Sequence, residues 1–158
     1  MQAFGGRLAK LLAKGDLVLL NGPLGAGKTT MTRGIGKSLR ASGTIQSPTF
    51  VLARTHETES GVPFVHVDAY RLGSAVELDD LDIDFERSIV VIEWPQDFTP
   101  GVSHDWLEVE LPSDKDSEAR LATLRGSAKC VYRESNLDPG NRHDSRRVRR
   151  RGERGEHN

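Results

Sequence analysis

The chain has a single cysteine, Cys130, in 158 residues, which excludes an internal disulfide and any metal site built from several thiolates. Aromatic residues are 6% of the total and hydrophobic residues 36%, a lean supply for a core. Long apolar runs are missing as well. The longest are Leu17–Leu20 and Ile89–Ile92, far short of the roughly 20 residues that span a bilayer. The N-terminal segment carries Arg7, Lys10 and Lys14 among short apolar steps and lacks the uninterrupted apolar stretch of a secretory signal. These absences predict a chain of the reducing cytoplasm with no membrane partner. The length suits one domain with a real core and is too short for two comfortable ones.

The formal net charge of −1 hides an asymmetry. Residues 141–158, NRHDSRRVRRRGERGEHN, hold seven arginines, three acidic residues and one aliphatic side chain, Val148. Subtracting them leaves 15 Lys and Arg against 20 Asp and Glu in residues 1–140, so an acidic body of about −5 precedes a basic end of about +4. That end has no apolar periodicity, and its composition predicts a disordered tail. The expected division is a folded domain over residues 1–135 and a basic tail over 136–158.

Within the body, the hydrophobic spacing alternates between helical and strand periods. Phe4, Leu8, Leu11 and Leu12 fall on one helical face, predicting a helix over residues 3–14 that stops at Gly15. DLVLLNG reads as a buried strand running into glycines, and Met31, Ile35 and Leu39 give a helix from Thr29 to Arg40. Thr49–Arg54 and Val62–Val67 read as strands joined by the polar turn ETESG. A short acidic helix is expected over Ala75–Leu81, and the β-branched run SIVVIE, Ser88–Glu93, has the pattern of a strand buried on both faces. DWLEVELP and ARLATLRG then alternate as two half-exposed strands. The fold class implied is α/β: a three-layer domain whose sheet is parallel at its centre with antiparallel strands added.

The sharpest signal is GPLGAGKT, Gly22 to Thr29, which fits G-x-x-x-x-G-K-[ST] at every fixed position, with a strand before it and a helix after. A polyphosphate must be wrapped closely by backbone N–H groups. Gly22, Gly25 and Gly27 let the chain turn tightly and approach without Cβ clashes. The following helix N-terminus favours anions. Lys28 can run along the phosphates as a point charge, and the Thr29 hydroxyl can ligate Mg²⁺.

A P-loop nucleotidase also needs a carboxylate at the end of a neighbouring strand, and two qualify. Asp68 ends FVHVD and Glu93 ends SIVVIE; both would emerge at the carboxyl edge of the sheet. One would ligate the metal while the other positions the attacking water or completes the shell, and composition does not rank them.

Four segments in register, GPLGAGKTT from Gly22, SPTF at Ser47–Phe50, HVDAYRL at His66–Leu72 and EWP at Glu93–Pro95, resemble the bacterial TsaE family over most of residues 1–135. Proteins of that family are P-loop ATPases required for threonylcarbamoylation of the adenosine beside the anticodon in ANN-decoding tRNAs. They act with the TsaB–TsaD pair, supporting its turnover without transferring the group themselves. The resemblance implies a P-loop NTPase-like fold, ATP and Mg²⁺ as cofactors, the TsaB–TsaD heterodimer as partner, and tRNA reached through that complex. It also implies hydrolysis that is slow alone. Nucleotide contacts are implied for Gly22, Gly25, Ala26, Gly27, Lys28, Thr29 and Thr30, with Ser47 and Thr49 in a switch-like loop and Trp94 beside the nucleotide or partner. Thr29, Asp68 and Glu93 would surround the metal, with Asp68 and Glu93 as the catalytic carboxylates. His66 shares the face of Asp68 by strand alternation and reads as a satisfied core histidine rather than a base. Two departures stand out: Pro23 replaces an acidic residue often found in this loop, and the arginine-rich tail exceeds what the family needs.

Three other readings compete. A GTPase would need N-K-x-D after a buried strand, and the nearest match, NRHD at Asn141–Asp144, lies in the polar tail. A small-molecule kinase would need an arginine-bearing lid, and no such insertion is visible. A nucleotide-gated interaction module without hydrolysis remains an alternative, because turnover depends on how Glu93 or Asp68 orders water.

Overall fold

The computed structural model describes residues 1–46, 52–70, 72, 75–95, 105–111 and 123–126. In chain order the elements are α1 (Gln2–Ala9), β1 (Asp16–Asn21), α2 (Lys28–Ser38), β2 (Ala53–His56) and β3 (Phe64–Asp68). They are followed by α3 (Ala75–Asp79), β4 (Ile89–Glu93), β5 (Asp105–Glu110) and β6 (Thr123–Gly126). The strands form one six-stranded sheet in the order β2-β3-β4-β1-β5-β6. The inner four, β3, β4, β1 and β5, are parallel. β2 and β6 join the two edges antiparallel, so the mixed sheet with a parallel centre is as expected.

Central position explains the continuous apolar runs of β1 and β4, because both faces of each are covered. On one face, Val18, Leu20 and Val91 pack with Leu8 of α1 and with Met31 and Ile35 of α2. On the other, Leu17, Leu19, Val90 and Ile92 pack with Val65, Val67, Leu72 and Leu78. Among the described residues, this second layer is made of α3 and the turns flanking it. Among the described residues no helix is long and apolar enough to cross a membrane.

α1 and α2 cross with their backbones in contact. A Cβ on Gly5 would overlap the Met31 carbonyl, and one on Gly34 would overlap the Gln2 carbonyl. Glycine inside a helix costs about 1 kcal/mol against alanine; here it permits the close approach of α1 to α2.

Several boundaries differ from the sequence reading. The first helix ends at Ala9 rather than running to residue 14. Leu11 and Leu12 continue only as turns, their N–H groups donating to the Leu8 and Ala9 carbonyls at 2.9 and 3.2 Å. Asp16 terminates the segment by accepting the Ala13 N–H at 2.7 Å. The strand expected over Thr49–Arg54 is found at Ala53–His56, set by its pairing with Phe64–Val67; residues 47–51 lie outside the described ones. So do residues 127–158, which include the whole of the basic tail expected over 136–158.

Candidate functional site

The parallel strands β1, β3 and β4 end side by side at one edge of the sheet, Leu20 beside Glu93 and Glu93 beside Asp68. The chain leaves β1 through Gly22, whose φ of 150° brings the backbone so near β5 that a Cβ would lie 2.8 Å from the Leu111 carbonyl. The loop closes on itself with the Ala26 N–H donating to the Pro23 carbonyl at 3.0 Å. Gly27, with φ 102°, is the N-cap of α2, and the first turn of that helix carries no acidic residue. The unpaired N–H groups of a helix start therefore face the loop, with no carboxylate from the helix's own first turn to oppose an anion.

Lys28 is 5% exposed. Its ammonium donates to the Gly22 and Pro23 carbonyls at 2.7 and 2.9 Å and sits 3.5 Å from the centroid of the Trp94 ring. Burial pushes its pKa below the ordinary 10.5, against the opposing pull of the Glu93 and Asp68 charges. The pocket thus holds a desolvated cation that an incoming anion would stabilise.

Glu93, 2% exposed, is the hub. Its Oε2 accepts the Thr29 hydroxyl at 3.1 Å. Its Oε1 accepts the Thr32 hydroxyl at 3.2 Å and faces Nε2 of His66 at 2.8 Å. Asp68 is less buried and accepts the Tyr70 N–H at 3.0 Å. Trp94 has φ 57°, a left-handed conformation that costs a non-glycine residue of order 1–3 kcal/mol and clusters at functional sites. Its N–H donates to the Leu20 carbonyl at 3.1 Å, and its ring meets the Tyr70 ring edge-on at 5.3 Å.

A cavity of about 450 Å³ opens between these groups, lined by the loop (Leu24, Gly25, Gly27), by Lys28, Thr29 and Thr30 of α2, and by Asp68, Tyr70, Glu93 and Trp94. Of the residues singled out from sequence, it gathers both carboxylates, Trp94 and most of the phosphate loop. Gly22 and Ala26 stand behind it: the Gly22 carbonyl holds Lys28, and the Ala26 methyl joins the core. Ser47 and Thr49 lie outside the described residues. The segment leading to them is tied to α2, because Arg33 Nε donates to the Ile45 carbonyl at 3.1 Å and Ile45 packs over Gly36. Sequence reasoning missed Thr32, Leu24 and Tyr70 as site residues. Thr32 was discoverable, since it lies one turn beyond Thr29 on the same helical face. Among the described residues no three His, Cys, Asp or Glu side chains cluster as a metal site; the oxygen groups at hand are two carboxylates and the Thr29 hydroxyl.

Parallel strands feeding a glycine loop and a helix start define a P-loop NTPase-like α/β domain. The Bacillus subtilis protein YdiB has this fold, superposing with a TM-score of 0.63 over 86% of each chain at 24% identity. The particular family is given by sequence: residues 1–122 match the model of TsaE, threonylcarbamoyl adenosine biosynthesis protein. A Streptomyces coelicolor protein named tRNA threonylcarbamoyladenosine biosynthesis protein TsaE is 47% identical over 133 residues, 80% of this chain and 90% of the relative. A Mycobacterium bovis protein of the same name is 46% identical over 129 residues, 75% of this chain and 77% of its own. The chain belongs to the TsaE family.

Proposed function

We propose that the chain is a Mg²⁺-dependent ATP-binding and ATP-hydrolysing accessory protein in the threonylcarbamoyl modification of the adenosine beside the anticodon of ANN-decoding tRNAs, working with a TsaB–TsaD pair. The observation that carries the reading is the meeting of Lys28, Thr29, Asp68 and Glu93 in one cavity, in a chain whose relatives are named for that biosynthesis. The folded domain extends over residues 1–135, with residues 136–158 a basic appendage, and the protein works in the cytoplasm.

The groups present suit a magnesium–triphosphate. Mg²⁺ is held by one or two carboxylates together with waters and phosphate oxygens rather than by an all-protein cage, and Thr29, Asp68 and Glu93 offer such a hard-oxygen set. Bound there, the ion would supply positive charge to the β- and γ-phosphate oxygens. The loop N–H groups and the start of α2 hold the phosphate tail in place. Lys28 exchanges its carbonyl partners for phosphate oxygens, carrying its charge to where charge develops in the transition state. Glu93, anchored among hydroxyls and an imidazole, is the group we assign to orienting the attacking water, and Asp68 the group we assign to the metal shell. Tyr70 and Trp94 wall the cavity mouth and keep bulk water from Lys28, which strengthens its attraction for phosphate.

The test is a reconstituted tRNA-modification reaction with TsaB–TsaD, with and without this chain. Sustained modification and partner-stimulated phosphate release are expected only with it. Equal modification without the chain, or a phosphorylated small molecule among the products, would refute the reading.

A further inference from the structure

Phosphate binding and metal binding leave His66 unexplained. It occupies the middle of β3 and is fully buried, where a valine would pack without any polar group to satisfy. Its Nε2 lies 2.8 Å from Oε1 of Glu93, and a carboxylate only accepts, so the hydrogen is on Nε2. Its Nδ1 is buried with no hydrogen-bond partner among the described residues. A hydrogen there would be an unsatisfied buried donor, a worse state than a bare lone pair. The ring is therefore the Nε2–H tautomer, donating once and in one direction.

The two oxygens of Glu93 are treated differently. Oε1 has His66 and Thr32, but the Thr32 hydroxyl also lies 3.0 Å from the Lys28 carbonyl. One hydroxyl proton cannot serve both at full strength, which leaves His66 as the constant donor. Oε2 faces Thr29, the first-turn hydroxyl at the cavity wall. The terminal torsion of a glutamate is broad, so an unheld carboxylate would rotate between its oxygens. We propose that His66 is a positioning residue that fixes the carboxylate plane of Glu93 through Oε1, so that Oε2 is the oxygen presented beside Thr29 to the reacting end of the bound phosphate chain. The role rests on the hydrolytic reading above.

Two variants of the full chain, each with TsaB–TsaD and tRNA, test it. His66→Leu keeps the volume and removes the donor; His66→Gln keeps an N–H that can reach Oε1. The Leu variant should release phosphate about tenfold more slowly at saturating ATP, the loss expected for a hydrogen bond to a charged acceptor. Its KM for ATP should stay within about twofold, as for an interaction made chiefly in the transition state. The Gln variant should recover most of the rate. Independently of activity, long-range ¹H–¹⁵N spectra of the imidazole in the ATP-free chain should show the Nε2–H tautomer, and Glu93→Ala should abolish that signature. Wild-type turnover in His66→Leu overturns the proposal, as does an Nδ1–H tautomer. Parallel loss of ATP affinity and rate without rescue by Gln reduces His66 to packing and overturns it too. If the wild-type chain releases no phosphate even with its partners, the hydrolytic reading fails and the positioning role falls with it, while the spectrum still decides whether His66 holds Glu93.

Discussion

Replacing Gly34 by alanine should destabilise the fold, although helix propensity alone argues the reverse. In an isolated helix the change gains about 1 kcal/mol. In the folded chain the new methyl would overlap the Gln2 carbonyl and lie 3.0 Å from the Gln2 Cα. A backbone carbonyl cannot swing aside as a side-chain end can, so α1 must lift from α2. Overpacking of this kind costs about 1–3 kcal/mol, and the rigidity of the obstacle puts the cost at the upper end. The net loss is roughly 2 kcal/mol, or a fall in Tm of roughly 4–8 °C for a chain of this size. Gly6 supplies an internal control. A Cβ there meets only the Gly34 carbonyl at an ordinary 3.7 Å, so Gly6→Ala should raise Tm by about 2–4 °C, through the same propensity gain. Thermal and denaturant unfolding of the two variants decide the matter. A Gly34→Ala protein as stable as Gly6→Ala would refute the close crossing of the two helices.

Lys28→Ala should abolish ATP binding by calorimetry while Glu93→Ala mainly lowers turnover; equal loss of affinity in both would undo the separate roles. Because burial lowers the Lys28 pKa below 10.5, the unfolded chain binds more protons between the lowered value and 10.5. The contribution of Lys28 to stability therefore rises with pH across that window and is lost as pH falls through the folded value. The difference in denaturation midpoint between wild type and Lys28→Met should increase as pH approaches 10.5, and a flat or falling difference would contradict it. ATP binding should change tryptophan emission as Lys28 leaves the Trp94 ring, and Trp94→Phe should remove the change although Trp106 remains. Persistence of the change in that variant would place its origin elsewhere.

Much of the candidate site was legible because it is contiguous or tied to strand ends. The phosphate loop is one unbroken segment, and Asp68 and Glu93 announce themselves as acids closing apolar runs. The lattice around Glu93 was harder to read, since Thr32 reaches it across 61 residues of sequence and His66 across 27. Strand alternation placed His66 on the face of Asp68, but nothing in its neighbours along the chain pointed to a carboxylate on β4. The basic tail, Ser47 and Thr49 fall outside the described residues.

By itself, then, the sequence determined the alternation of strands and helices, the parallel-centred α/β class, the phosphate-loop pattern and the family. Each of these follows from local periodicity or from residues adjacent in the chain. The tertiary structure alone decided that β1 lies between β4 and β5, which of two neighbouring α1 glycines is pressed against α2, and that Lys28 rests on Trp94. Those outcomes depend on which distant surfaces meet. A glycine's place in a helix, or a lysine's partner, carries no mark in the residues beside it.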